Sequence, residues 1–182
     1  MSVIHREKDM LVVAKNLFKQ YPNARALSKL ECDDHKKEEQ VEFWKKNQLR
    51  HAQRKMKDIL AANSKLISTY DGQIPSDRKA LEKLRGVGRH VASVSLAWIH
   101  QEPEFGIDVH VKRILKRWNL FPAGKTELQI EEDIKTNLDT KKIGHFSRAL
   151  VDLGQDVCGY TPECHRCFLR YSCPSANKDL SW

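Results

Sequence analysis

The sequence predicts an all-α fold, and three observations carry that expectation. Apolar residues recur at helical spacing in segment after segment. Nowhere do they alternate with period two over a length that would make a strand. Between the periodic segments stand turn and cap residues, among them Asp71-Gly72, Gly86-Val87-Gly88 and Thr126-x-x-Gln129.

In chain order, Met10, Val13, Ala14, Leu17 and Phe18 form one apolar stripe, and that helix ends near Tyr21-Pro22. A short helix is expected from Ala24 to Leu30. Glu31 to Lys46 is dense in charge, with Val41, Phe43 and Trp44 as the anchored face of a helix end. Leu49-Arg50-His51 reads as a loop before a long helix that turns Met56, Ile59, Leu60, Leu66 and Ile67 inward. Pro75-Ser76 is expected to cap the next helix, which carries Leu81 and Leu84. After the glycine turn, Val91, Val94 and Trp98 start a buried helix at helical spacing. Val111, Ile114, Leu115 and Trp118 make a stripe opposite two basic rows, Lys112 with Lys116 and Arg113 with Arg117. Thr126 and Gln129 form a capping box for a helix with Ile130, Ile134 and Leu138 inside. Phe146, Ala149, Leu150 and Leu153 complete the last helix, which Gly154 should stop.

The 182 residues are 40% hydrophobic, enough for one domain or two small ones, and carry a net charge of +8. That charge suits a polyanionic partner without choosing among DNA, RNA and an acidic membrane surface. No apolar run approaches the ~20 residues needed to cross a bilayer, and the N-terminus has no signal-peptide core. The chain is therefore expected inside the cell, in the cytoplasm or nucleoid, or in the nucleus of a eukaryote.

Chemistry concentrates in two stretches. In the first, the Gly86-Val87-Gly88 turn offers backbone N–H groups at a helix N-terminus, a seat for a phosphate, with Lys83, Arg85 and Arg89 around it. Asp108 follows after one helix and a short loop, placed to cap the basic helix through its carboxylate. In the second, Cys158, Cys164, Cys167 and Cys173 are separated by five, two and five residues. Four thiols so close in a chain without a secretory signal point to a metal rather than to disulfides, and the spacing leaves zinc and an iron–sulfur cluster both open.

The order of hairpin, helix, short loop, aspartate and basic helix resembles the HhH-GPD superfamily of DNA base-excision glycosylases, in particular its endonuclease III-like branch. The matched residues are Leu81, Leu84, Gly86-Val87-Gly88-Arg89 and Asp108-Val109-His110 with Arg113, and the likeness runs from about Met10 to Cys173. It implies two helical lobes: residues 1–102 with the helix-hairpin-helix, and residues 103–182 with the helix of Asp108 and the cysteine loop. It also implies double-stranded DNA with a damaged or mismatched base as the partner, and a [4Fe-4S] cluster on the four cysteines, with zinc as the alternative. Gly86, Val87, Gly88, Lys83, Arg85, Arg89, Lys112 and Arg113 are then the expected DNA contacts, and Leu49 the wedge into the duplex. In that branch the first gap between the cysteines is one residue longer, and basic residues often fill it where this chain has Gly159 to Glu163.

The same resemblance makes Asp108 the residue that stabilises the oxocarbenium-like state of glycosidic cleavage, once the base has left the stack. Bifunctional relatives place a lysine directly after the G-V-G-R run; here that residue is His90. Imidazole lacks the primary amine a Schiff base needs, so a monofunctional glycosylase is expected, with water attacking C1′ under Asp108 and His90. A bifunctional glycosylase and AP lyase drawing on another amine, and a non-catalytic DNA-binding protein, are the alternatives. Relatives also begin earlier than this chain, which joins the match around Val3-Ile4-His5, with Ile4 near a family glutamine that fills the gap left by the flipped base. The consequence expected is apolar surface on the N-terminal side, covered by self-association or a partner.

Overall fold

The computed structural model describes residues 3–176, with side chains from residue 10 onward. The side chain of Ile4 thus lies outside the described residues. Every regular element among them is helical, as the sequence predicts. The chain divides into two compact units, Met1–Gly88 and Arg89–Trp182. The lobe boundary expected from the sequence falls at residue 102 instead. The difference is the helix after the hairpin, which packs within the second unit.

The first unit holds α1 (Val3–Gln20), α2 (Ala24–Glu31), α3 (Asp34–Lys46), α4 (Ala52–Tyr70) and α5 (Arg78–Glu82). Helices α2 and α3 pack on α4, around a core of Val13, Leu17, Leu30, Val41, Trp44, Met56 and Leu60. The charge-dense segment is a full helix, begun by Asp33, whose Oδ1 accepts the Lys36 N–H at 3.0 Å. Buried Asn63 donates to the Ala24 carbonyl at 3.0 Å and so ties α4 to the start of α2. α5 is capped by Asp77 rather than Ser76: its Oδ2 accepts from the Ala80 N–H at 2.8 Å, and a carboxylate outcompetes a hydroxyl at a positive helix end.

The second unit holds α6 (Arg89–Ile99), α7 (Val109–Arg117), α8 (Glu127–Asn137) and α9 (Thr140–Asp156), followed by the cysteine loop with a single 3-10 turn at Cys164–Arg166. Its core is Phe105, Ile107, Val111, Ile114, Leu115, Ile130, Ile143 and Leu150, with α7 packed on α9. The expected buried face of α6 is corrected: Ala92, Ser93 and Leu96 are buried, while Val91 and Trp98 are 44% and 52% exposed. Small residues face inward because α6 lies close against its neighbours. Gly154 does not stop α9, which runs on to Asp156. A Cβ there would come 2.8 Å from the His110 Cβ, so this glycine is the gap that lets α7 and α9 approach. The Thr126 capping box forms as expected.

Candidate functional site

Gly86 shapes the turn that ends the first unit. Its φ is 80°, and a Cβ on it would lie 3.0 Å from the Asp58 Cβ, so conformation and space both require glycine. The Val87 N–H closes the turn on the Leu84 carbonyl at 3.1 Å. At Gly88 nothing lies within 4 Å of where a Cβ would be, which leaves open space beside the turn. Of the cations expected around it, Lys83 is exposed and ends α5.

The other two have carboxylate partners. Arg85 Nε donates to Asp58 Oδ1 at 2.6 Å. Arg89 donates to Glu131 Oε2 from Nε at 3.0 Å and from Nη2 at 2.5 Å. Glu131 is 2% exposed, and a carboxylate so buried needs a cation beside it. Arg89, expected as a DNA contact, is engaged with this carboxylate. Glu131 itself was missed: its only signal in the sequence is its place next to the apolar Ile130 on a helix otherwise charged outward.

Asp108 sits at the start of α7 for two local reasons. Its Oδ1 accepts the N–H groups of His110 at 2.9 Å and Val111 at 2.8 Å. Both cap bonds go to Oδ1, so the cap does not consume Oδ2. In front of it the loop is drawn into the core: Phe105 and Ile107 are buried, and Phe105 stacks on Phe146 with ring centroids 5.8 Å apart. Ser147 Oγ donates to the Gly106 carbonyl at 3.2 Å. Asp108 is thereby held from behind by packing and from ahead by its helix. His90, near the start of α6, lies against the same loop. A Cβ built on Gly106 would be 2.9 Å from His90 Nδ1, an atom that is buried without a hydrogen-bond partner.

The basic helix does not present its charges as the sequence suggests. Lys112 Nζ pairs with Glu127 at 2.6 Å. Arg113 is turned to the cysteine loop, donating to the carbonyls of Cys158 at 3.0 Å and Gly154 at 2.7 Å. Burial, and then the neighbouring Arg117 charge, push the Arg113 guanidinium below its ordinary range. Arg117 clamps the loop further through the carbonyls of Gly159 at 2.8 Å and Tyr160 at 3.0 Å, and reaches Cys158 Sγ at 3.0 Å. A loop without regular structure leaves carbonyls that need donors, and these two arginines supply them. Arg113, expected as a DNA contact, is thus engaged with the cysteine loop. Leu49, expected as the wedge into the duplex, is half-buried and packs against the core of the first unit.

Cys158, Cys164, Cys167 and Cys173 line one cavity of about 250 Å³ together with Arg117, Tyr160 and Arg170. Burial raises the Cys164 thiol above its usual range, and the charges of Cys158, Cys173 and Cys167 raise it further, a sign that the four sulfurs share one space. Among the described residues no group of three or more His, Cys, Asp or Glu is gathered closely enough to hold a metal ion. Four thiols lining one cavity are donors suited to zinc or to an iron–sulfur cluster. No helix among the described residues is long and apolar enough to cross a membrane.

An all-helical chain with a glycine hairpin turn, a capping aspartate one helix later and a four-cysteine loop belongs to the class of helix-hairpin-helix proteins. No protein-family model matches the chain. Individual relatives do. It is 31% identical over 175 residues to endonuclease III of Synechocystis, covering 90% of this chain and 72% of that one. It is 35% identical over 120 residues to endonuclease III of Rickettsia conorii, covering 65% of this chain. It spans 57% of the length of that second relative. The fold superposes on an endonuclease III solved in a non-covalent complex with DNA, with a TM-score of 0.78 and 25% identity over 91% of this chain and 75% of that one. The chain belongs to the endonuclease III-like branch of the HhH-GPD superfamily.

Proposed function

We propose that this protein is a base-excision DNA glycosylase that binds double-stranded DNA, takes a damaged or mismatched base out of the stack and hydrolyses its N-glycosidic bond. The observation that carries this reading is Asp108. A carboxylate whose Oδ1 is committed to the helix cap is fixed in direction, and its Oδ2 faces no claim from that cap. Positive charge develops on the deoxyribose as the bond breaks, and a carboxylate held in advance stabilises it without reorganising. Family membership supports the substrate class, as does the net charge of +8.

His90 is the second residue of the site and stands where bifunctional relatives carry lysine. With no amine there, water is the nucleophile at C1′, and the product is an abasic site rather than a cut strand. Backbone N–H groups of Gly86 and Gly88 and the exposed Lys83 hold DNA phosphates.

The four cysteines hold a [4Fe-4S] cluster, for which the cavity they line and the nearby Arg117 are suited; zinc is the alternative occupant. Bound there, the cluster would stiffen the loop. It plays no part in bond breaking.

The test is a nicking assay on duplexes carrying a panel of lesions, with the wild type and Asp108→Asn, each divided among alkali, no treatment and borohydride trapping. Cleavage only after alkali is expected, falling by about 100-fold or more in Asp108→Asn. A borohydride-trapped complex, or strand cleavage without alkali, overturns the monofunctional reading.

A further inference from the structure

We infer that His90 works as a hydrogen-bond donor through Nε2, toward an oxygen acceptor on the bound nucleotide, and that Gly106 is the positioning residue that gives the ring this orientation. The inference rests on the reading of Asp108 and His90 as a glycosylase site and goes beyond it by assigning the direction and the nitrogen.

The first observation is the buried edge of the ring. Nδ1 of His90 is closed off from solvent and has no hydrogen-bond partner. A neutral imidazole carries one N–H. Placed on Nδ1, that N–H would be an orphaned buried donor, which folded proteins tolerate less well than an under-used acceptor. The proton therefore belongs on Nε2, the nitrogen that the buried edge leaves for a ligand. A ring in that form donates at Nε2 and cannot take a proton there, so His90 is not the base that activates water. That task is left to Asp108.

The second observation explains why the chain has glycine at position 106. Gly106 does not have a positive φ, so its backbone conformation makes no demand for glycine. Space does. A Cβ would come within 2.9 Å of His90 Nδ1, closer than side chains accept without moving, and 3.4 Å from Cε1. The loop cannot give way readily, because Phe105 and Ile107 on either side are buried and the Gly106 carbonyl accepts from Ser147. The imidazole thus rests on a fixed backbone two residues before Asp108, and the missing side chain is the seat for its Nδ1 edge.

Two measurements on the full chain decide the matter. In two-bond 1H–15N spectra, with His90 identified by the loss of its signals in His90→Gln, the Nε2–H tautomer is expected; an Nδ1–H tautomer overturns the inference. On whichever lesion the wild type excises, His90→Ala is compared with His90→Gln, whose amide nitrogen reaches the place of Nε2, and with His90→Asn, whose nitrogen reaches that of Nδ1. A recovery in kcat of about tenfold over His90→Ala is expected for Gln and none for Asn, the value of one hydrogen bond. Equal rates in the three variants overturn the donor role. Gly106→Ala should lower kcat by about tenfold beside His90 and leave the rate unchanged in a His90→Ala background, since contacting residues are non-additive. An equal loss in both backgrounds overturns the positioning role. If the wild type excises no lesion, it is the glycosylase reading that fails, and the tautomer still decides the orientation of the ring.

Discussion

Glu131 is fully enclosed, and the two donors of Arg89 are what keep a negative charge there acceptable. The pair joins the first residue of α6 to α8, so the ion pair also fixes where α6 begins and hence where His90 stands. Glu131→Gln is therefore expected to destabilise the protein, read as a lower midpoint of urea unfolding, because it removes the buried carboxylate on which the Arg89 bonds converge. Leu49 and Arg113 carry a related lesson. Each has the composition of a DNA contact at the right place in the chain, and each is occupied inside the fold, one by the apolar core and the other by loop carbonyls. Asp108 is different because its structural role and its proposed chemical role use separate oxygens. That is why the sequence could identify it: a cap position is local, and its geometry follows from the next three residues.

Among the elements, the pairing of α7 with α9 sets the frame of the site. α7 carries Asp108 at its start and α9 carries Ser147, which holds the Gly106 carbonyl. They are in tight contact at Gly154, where a Cβ would also come 3.3 Å from Ile114 Cδ1. Alanine improves a helix by up to about 1 kcal/mol over glycine, while overpacking a tight contact costs about 1–3 kcal/mol. Gly154→Ala should therefore lower stability by about 1–2 kcal/mol in thermal unfolding, against the usual benefit of that change in a helix. Periodicity identified α4, α7 and α8 with their inward faces, since each has one apolar stripe turned to the core of its unit. It misjudged α6, where Val91, Val94 and Trp98 have helical spacing yet face outward. Spacing shows that a face exists; which face is buried depends on how closely the partner approaches, and close approach selects Ala92 and Ser93 over larger side chains. It also under-read α3, because charges mask a helix whose burial depends on only Gln40, Val41 and Trp44.

For the molecule as a whole, the cysteine loop is held in place by long-range contacts. Arg113 and Arg117 reach it from α7, more than 40 positions earlier in the chain. The protein purified without chelator is expected to be brown with broad absorbance near ~400 nm, and to lose colour and loop order together when iron is removed. A colourless protein holding zinc would replace the cluster with the alternative ion.

By itself the sequence determined the helical class, the glycine turn, the aspartate cap and the four-cysteine set. Each follows from residues a few positions apart, where backbone geometry and hydrogen bonding act locally. Only the tertiary structure decided which of the many arginines and lysines are committed to carboxylates and carbonyls, which side of α6 is buried, and why Gly106 and Gly154 have no side chain. Those features are set by distances between residues far apart in the chain, such as Arg89 and Glu131 or Gly154 and His110. A charge reads the same in the sequence whether it meets solvent or a buried carboxylate. A glycine likewise gives no sign of the atom that occupies its missing Cβ.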